Sequence, residues 1–193
     1  MTKSLFSFLK FLIFTIYVAK LSYVWADQPE TLSWAKTIPY GHEQKTTLEF
    51  YYHEFAFGEN ATVAWIAQAQ PPQPNPPFTA FGNLYMVDGR LTVGPDVNSK
   101  LIGRAQGFFG SDSQTEENFM LGITYSLIDG IYNGSTFTSL GQNTYINSVR
   151  ELSIIGATGL FRMARGYSLA RIYSIDLTTG IIIVHYNVTL IHS

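Results

Sequence analysis

Glycines divide most of this chain into short apolar stretches, and this spacing restricts the possible folds more than any other feature of the sequence. The glycines that fall between or inside apolar runs include Gly89, Gly94, Gly103, Gly107, Gly110, Gly156, Gly159 and Gly166. Glycine at such positions supplies turns, bulges and tight barrel corners. After residue 26, apolar residues alternate with period two and no stretch keeps a helical period over four turns. The sequence therefore predicts an all-β fold.

The alternation predicts nine strand segments, enough for a barrel of roughly eight strands. They lie at residues 46–57, 62–69, 81–87, 101–111, 118–128, 135–140, 152–155 continued by 159–164, 167–176 and 181–192. Turn residues at 128–130 and 177–180 indicate antiparallel neighbours. Because even spacing favours closure, which removes exposed strand edges, we expect a single closed antiparallel β-barrel. Residues 27–44 should form an irregular lead-in, and residues 70–77, which include five prolines, should form a loop.

The N-terminus has the pattern of a secretory signal peptide. Lys3 and Lys10 accompany an apolar stretch at 11–19, and small residues Val24 and Ala26 precede residue 27. We therefore expect cleavage after Ala26, a signal peptide at 1–26 and one barrel domain at 27–193. The apolar stretch is shorter than the about 20 residues that a membrane-spanning helix needs. These features predict a secreted, extracellular protein with no membrane segment.

Charge and composition exclude several functions. Loss of residues 1–26 changes the formal net charge from −2 to −5. A mildly acidic chain without a basic run is a poor partner for nucleic acid, whose nonspecific affinity for proteins comes from phosphate neutralisation. The absence of cysteine excludes thiol nucleophiles and thiolate metal sites. Because His42, His185 and His192 are too far apart in the pattern to form a metal triad, we expect no metal and no cofactor.

Two motif blocks carry the most specific signal in the sequence. They read VDGRLTVGPDVNSKLIGRAQG at 87–107 and VRELSIIGATGLFRMARGY at 149–167. Both resemble the plant dirigent proteins, over a region from about Thr46 to the C-terminus. The resemblance implies the barrel shared by dirigent proteins and allene oxide cyclases, and assembly as a homotrimer. For a secreted plant protein it also implies a location in the apoplast or cell wall. It also implies binding of phenoxy radicals, made by a separate oxidase such as a laccase or peroxidase, so that two coniferyl alcohol units couple stereoselectively to a lignan.

Two charged residues are candidate catalytic groups. Period two places Glu54 on the same strand face as Phe50 and Tyr52, inside the barrel. A carboxyl there is partly desolvated, which raises its pKa and suits it to proton transfer, whereas at the barrel mouth it lies in water. Arg150 has apolar strand mates, so it either pairs with a carboxylate inside the cavity or emerges at the rim. In the dirigent family the matching arginine lines the pocket.

The resemblance implies further substrate-binding positions. Dirigent proteins have a pocket aspartate directly after a histidine in this strand; His53 is retained here and the acid is Glu54. The family tyrosine after the first block corresponds to Phe109, and a second pocket aspartate corresponds to Asn143. A family threonine in the strand after the second block corresponds to Ile172.

These departures support a second interpretation. The chain lacks the tyrosine hydroxyl, the second pocket aspartate and any cysteine. These differences make it more similar to the pterocarpan synthases, a branch of the dirigent relatives, than to the lignan-forming members. There a pocket acid helps to expel water from an isoflavonoid alcohol, and a quinone methide closes to a ring. A third interpretation is a non-catalytic barrel that binds carbohydrate or the cell wall.

Three N-glycosylation sequons agree with export. They begin at Asn60, Asn133 and Asn187. Alternation in the last strand places Val184, Tyr186 and Val188 on the core face, so Asn187 should point outward. The sequence therefore predicts a glycoprotein, without indicating which acceptors are occupied.

Overall fold

The computed structural model describes residues 33–68, 79–116 and 118–193. The predicted signal peptide and the proline-rich loop at 70–77 lie outside these residues. Within them, ten strands form one antiparallel sheet: β1 (Ala35–Tyr40), β2 (Glu43–Phe55), β3 (Val63–Ala67), β4 (Leu84–Thr92), β5 (Leu101–Ser111), β6 (Asn118–Leu127), β7 (Thr136–Thr144), β8 (Arg150–Thr158), β9 (Arg165–Asp176) and β10 (Ile181–His192). Two short 3-10 helices occupy Gly130–Tyr132 and Gly159–Phe161. Neither of these helices has the length and hydrophobicity to cross a bilayer, and the described part of the chain has no other helix.

The sheet closes on itself between β2 and β4. The strand order is β1-β2-β10-β9-β8-β7-β6-β5-β4-β3, and residues 51–53 of β2 also pair with residues 90–92 of β4. This short pairing, which we call the β2–β4 seam, makes a barrel of eight strands. β1 and β3 lie beside it and pair with β2 and β4 respectively. The prediction of a closed antiparallel barrel of roughly eight strands is confirmed.

Gly89 allows the seam to form. A Cβ atom at this position would lie 2.2 Å from Cε2 of Tyr52 and 2.7 Å from the carbonyl oxygen of His53. These distances are shorter than van der Waals contact, and one of the two atoms belongs to the backbone. A side chain at position 89 would therefore separate the two strands that close the barrel.

The two ends of the barrel differ. One end, the closed end, is filled by the rings of Trp34, Tyr132, Phe161 and His192, which contact one another in that order with centroids 5.5, 5.2 and 5.3 Å apart. Asp129 accepts a 2.9 Å hydrogen bond from the Trp34 indole. The other end, the open end, carries the β9–β10 turn with Leu177 78% exposed. The interior therefore has one packed half and one accessible half.

The N-terminal strand corrects the sequence prediction. Residues 27–44 were expected to be irregular, but β1 pairs with β2 in register from Tyr40 opposite Glu43 to Ala35 opposite Leu48. Gly41 at φ 66° forms the tight turn between them. Because β1 is the edge strand of the sheet, it tolerates Pro39.

Three other boundaries also differ from the predictions. The proposed strand at 159–164 is wrong: the chain leaves the ladder in a 3-10 helix and Met163 adopts φ 64°, which brings Phe161 into the closed end. β4 continues past residue 87 to Thr92, because Gly89 and Leu91 stay on the buried face. β7 likewise extends past residue 140 to Thr144.

The predicted glycosylation acceptors lie in two kinds of position. Asn60 and Asn133 are exposed in turns, the first after β2 and the second after a 3-10 helix. Asn187 lies within β10, on the face opposite Tyr186 and Val188, and is half-buried.

Candidate functional site

A cavity of about 390 Å³ occupies the open half of the barrel. Pockets for drug-sized ligands range over about 300–1,000 Å³. Ile175 and Leu177 at the end of β9 lie at its edge and are exposed. The cavity therefore has the size of a small-molecule site and an apolar entrance.

One side of the cavity is an apolar wall built by β4, β5 and β6. Phe109 stacks on Tyr85 with centroids 5.0 Å apart and planes at 17°, and Phe119 meets Phe109 edge-on at 5.3 Å. Val87, Ala105 and Ile123 complete this wall, on inward positions of the same strands. Offset and edge-to-face contacts of this kind favour flat aromatic ligands.

The cavity also has polar lining residues, and they include the predicted acid. Glu54 lines the cavity near the end of β2, and Tyr52 donates a 3.2 Å hydrogen bond to its Oε2 atom. Burial raises the pKa of the Glu54 carboxyl, and the hydrogen bond from Tyr52 opposes part of that rise. The carboxyl consequently keeps its proton to higher pH than an exposed glutamate does.

Arg150 begins β8 and reaches the same cavity. It is 7% exposed, and its Nε atom is buried without a hydrogen-bond partner. Burial lowers the pKa of the guanidinium, while nearby Tyr186 acts in the opposite direction. The sequence predicted that Arg150 either pairs with a carboxylate inside the cavity or emerges at the rim. In the structure it is buried and makes no ion pair within the described residues. Its unpaired N–H can donate a hydrogen bond to a ligand oxygen.

Two buried phenols also line the cavity. Tyr186 on β10 stacks on Phe50 with centroids 5.5 Å apart, and Tyr125 on β6 is almost fully buried. Burial raises the pKa of both hydroxyls, so both remain neutral hydrogen-bond donors. Sequence reasoning missed this pair, although alternation already placed Tyr186 on the core face of its strand.

Five of the six predicted catalytic and substrate-binding residues line this one cavity. They are Glu54, Phe109, Asn143, Arg150 and Ile172. They come from five different strands, β2, β5, β7, β8 and β9. Barrel closure is what brings them together.

His53 is the exception. It lies on the opposite face of β2 from Glu54, is fully buried, and does not line the cavity. Its Nε2 atom is 2.6 Å from Oγ1 of Thr92, whose hydroxyl donates to the carbonyl of Gly94. Burial, and then the charge of Arg90, lowers the pKa of the imidazole. This geometry makes His53 a neutral residue that connects β2 to β4 rather than a residue in contact with a ligand.

No group of three or more histidine, cysteine, aspartate or glutamate side chains in the described residues is arranged to hold a metal ion.

Comparison with known proteins identifies the family. The sequence profile of dirigent-like proteins matches residues 45–191. The chain belongs to the dirigent family. The match covers all eight barrel strands except the first two residues of β2 and the last residue of β10.

Individual dirigent relatives are similar over most of the chain. Dirigent protein 23 of Arabidopsis thaliana is 42% identical over 161 residues, 83% of this chain and 85% of that one. Pterocarpan synthase 1 of Glycine max is 43% identical over 151 residues, 78% of this chain and 80% of that one. The solved structure of the pterocarpan synthase dirigent protein GePTS1 superimposes with a TM-score of 0.71 at 38% identity, over 81% of this chain and 89% of that one. The resemblance drawn from the two motif blocks is therefore confirmed.

Proposed function

We propose that this dirigent protein binds a phenolic benzylic alcohol of the isoflavanol type, removes water from it and closes a new ring. The observation that carries the proposal is a half-buried carboxyl that lines a small-molecule cavity and has a raised pKa. A carboxyl with a raised pKa keeps its proton to higher pH than an exposed glutamate, and departure of a hydroxyl group requires such a proton donor. Similarity to proteins named pterocarpan synthase supports the same class of reaction.

Glu54 supplies the proton in the first step. The carbon–oxygen bond of the benzylic alcohol breaks, and the proton of Glu54 goes to the departing hydroxyl, which leaves as water. A phenol on the same ring loses its proton to solvent, and its electron pair forms the carbonyl of a quinone methide. Arg150 lies where it can stabilise the negative charge that builds on the phenol oxygen during this step.

Ring closure restores the acid. A second phenol of the substrate attacks the methide carbon, and its proton passes to the Glu54 carboxylate. The methide oxygen takes a proton from solvent and becomes a phenol again, so the net change is loss of one water without oxidation. The wall containing Phe109 and Phe119 holds the aromatic rings in the folded conformation in which the two reacting atoms meet.

A second candidate function uses the same cavity for stereoselective radical coupling. The apolar wall and the unpaired Arg150 favour it, since together they can fix the ring and the oxygen of a phenoxy radical. In this case a separate laccase or peroxidase makes the radicals, and the protein contributes only their orientation.

Two parallel assays distinguish the candidates. Purified protein is incubated with an isoflavanol that carries the second phenol and no oxidant, and separately with coniferyl alcohol and a nonspecific oxidase. Cyclised product in the first assay supports the dehydration; an optically active dimer in the second supports coupling. If neither product forms, both functions are contradicted and the non-catalytic binding barrel becomes the better interpretation.

Substitutions assign the chemistry to the cavity. We expect Glu54→Gln to lower the dehydration rate by roughly 10²–10⁴-fold, the usual contribution of general acid catalysis. In the coupling assay it would lower the enantiomeric excess while total coupling continues. Arg150→Leu removes the charge and should weaken both activities. Glu49→Gln is the control, because Glu49 lies on the outer face of the same strand, 2.8 Å from His185. Equal rates for Glu54→Gln and Glu49→Gln would contradict the role of Glu54.

Export and glycosylation complete the proposal. Asn60 and Asn133 are exposed on turns, where a glycan meets no neighbouring strand. Mass spectrometry of secreted protein should find an N-terminus at Asp27 and glycans at these two sites. An N-terminus at Met1 in secreted material would contradict the signal peptide.

A further inference from the structure

We infer that Tyr52 is a positioning residue for the catalytic acid: its hydroxyl holds Oε2 of Glu54, which leaves Oε1 as the oxygen that carries the transferable proton. This inference rests on the proposed role of Glu54 as the acid. Nothing in the motif blocks or in the family pattern described above involves Tyr52.

The hydrogen bond determines which carboxyl oxygen is protonated. Tyr52 and Glu54 are two residues apart on β2, so their side chains share the interior face. The Tyr52 hydroxyl donates to Oε2 of Glu54 at 3.2 Å. A protonated carboxyl has one oxygen that bears the proton and one carbonyl oxygen that accepts hydrogen bonds. Because Oε2 accepts from Tyr52, the proton resides on Oε1.

Gly89 holds the Tyr52 ring in place. A Cβ at Gly89 would lie 2.2 Å from Cε2 and 2.9 Å from Cζ of Tyr52, so the ring rests directly on the β4 backbone at the β2–β4 seam. Only 7% of Tyr52 is exposed. The β2–β4 seam, rather than a flexible contact, therefore fixes the position of the Tyr52 hydroxyl. Gly89, which belongs to the first motif block, is thus connected to Glu54 through Tyr52.

The groups around the carboxyl are compatible with this role. From β10, Tyr186 faces the same space; Arg150 from β8 and Tyr125 from β6 also line the cavity. Arg90 of β4 pairs with His53 in the ladder, so it belongs to the outer face. Burial, and then the charge of Glu54, raises the pKa of the Tyr52 hydroxyl, which therefore remains a donor throughout the pH range of the reaction.

Tyr52→Phe removes the hydroxyl and keeps the ring over Gly89. We measure the Glu54 carboxyl titration by ¹³C NMR without substrate, and the pH dependence of kcat with the isoflavanol. The variant should titrate at higher pH than the wild type, because the ionised carboxylate loses a donor. Its kcat should fall roughly 5- to 30-fold with KM nearly unchanged, as expected for loss of one hydrogen bond that orients a catalytic group.

Tyr51→Phe is the matched control. Tyr51 is the preceding residue, points outward, and contacts Tyr173 and His185 with centroids 5.3 and 4.9 Å apart. It should leave both the titration and kcat unchanged. Tyr51→Phe therefore shows whether the effect of Tyr52→Phe depends on the position of the Tyr52 hydroxyl or follows from the loss of any tyrosine hydroxyl on β2.

Two outcomes overturn the inference. An unchanged Glu54 titration in Tyr52→Phe shows that the hydrogen bond does not act on the carboxyl. A shifted titration with an unchanged plateau of kcat shows that the bond exists but does not orient the acid. A failure of the proposed function is detected by a different measurement. If Glu54 is not the acid, Glu54→Gln reacts at the same rate as the wild type, whatever the Tyr52→Phe titration shows.

Discussion

The closed and open halves of the barrel are built from the same eight strands, yet one is filled and the other is hollow. At the closed end, three of the four filling residues come from outside the barrel strands: Trp34 precedes β1, and Tyr132 and Phe161 belong to the 3-10 helices, whereas His192 ends β10. Both 3-10 helices in the described residues lie at this end. The connections between strands, more than the strands themselves, therefore determine which half of this barrel can receive a ligand.

The two halves also differ in what their side chains contribute. Leu48, Phe50 and Phe137 are fully buried among other side chains and stabilise the fold. In the open half, inward residues such as buried Arg150 and half-buried Glu54 face the cavity. Desolvation without a complete set of partners costs stability and prepares these groups for chemistry.

A matched pair of leucines tests this comparison with the largest expected effect on stability. Leu48→Ala leaves a void in packed core and should lower the free energy of unfolding by about 2–5 kcal/mol. Leu121→Ala enlarges an existing cavity whose wall it already forms, so we expect a loss of less than about 1.5 kcal/mol, with weaker ligand binding. Urea denaturation measures both. Equal losses would mean that the open half is packed as tightly as the closed half.

A matched pair of glycines tests the seam. Gly89→Ala forces a Cβ against Tyr52 and the His53 carbonyl, and should destabilise by about 1–3 kcal/mol, the usual cost of overpacking. Gly156→Ala in β8 meets nothing within 4 Å, so its effect should stay within about 0.5 kcal/mol. Thermal denaturation compares the two. A Gly89→Ala protein as stable as Gly156→Ala would contradict the close contact at the seam.

Local alternation predicts the open half of this barrel better than the closed half. Period two placed Glu54 inside the barrel, and the motif blocks led to Arg150 and Phe109. The closed end was missed because Phe161 follows a run of apolar residues that reads as strand, while its position depends on Tyr132 and His192, which are distant in sequence. Period two already places His53 on the face of β2 opposite Glu54, and its substrate-binding role came only from the family resemblance; the structure places it outside the cavity lining.

Adjacent residues on β2 should give opposite pH dependence to stability, which is the smallest effect we predict. The lowered pKa of His53 means that the folded state binds fewer protons than the unfolded state below the ordinary value of 6.5, so stability falls as pH decreases through that window. The raised pKa of Glu54 means that the folded state binds more protons above 4.5, so stability falls as pH increases through its window.

Melting temperatures of two variants separate these contributions. Glu54→Gln should melt higher than the wild type at pH 8 and lose that advantage near pH 4. His53→Gln should weaken the decline of the melting temperature on acidification below pH 6.5. A Glu54→Gln protein that melts higher than the wild type only at low pH would contradict the predicted direction of the Glu54 contribution to stability.

The pH dependence of turnover tests the central claim most directly, namely that the open half presents a protonated acid to a phenolic substrate. With the isoflavanol, kcat of the wild type should be constant at low pH and fall as pH rises through the raised pKa of Glu54, because the carboxyl then loses the proton that it must donate. Glu54→Gln should have a lower rate and should lack this decline. A wild-type rate that increases with pH over the same range, or a decline that persists in Glu54→Gln, would contradict the account.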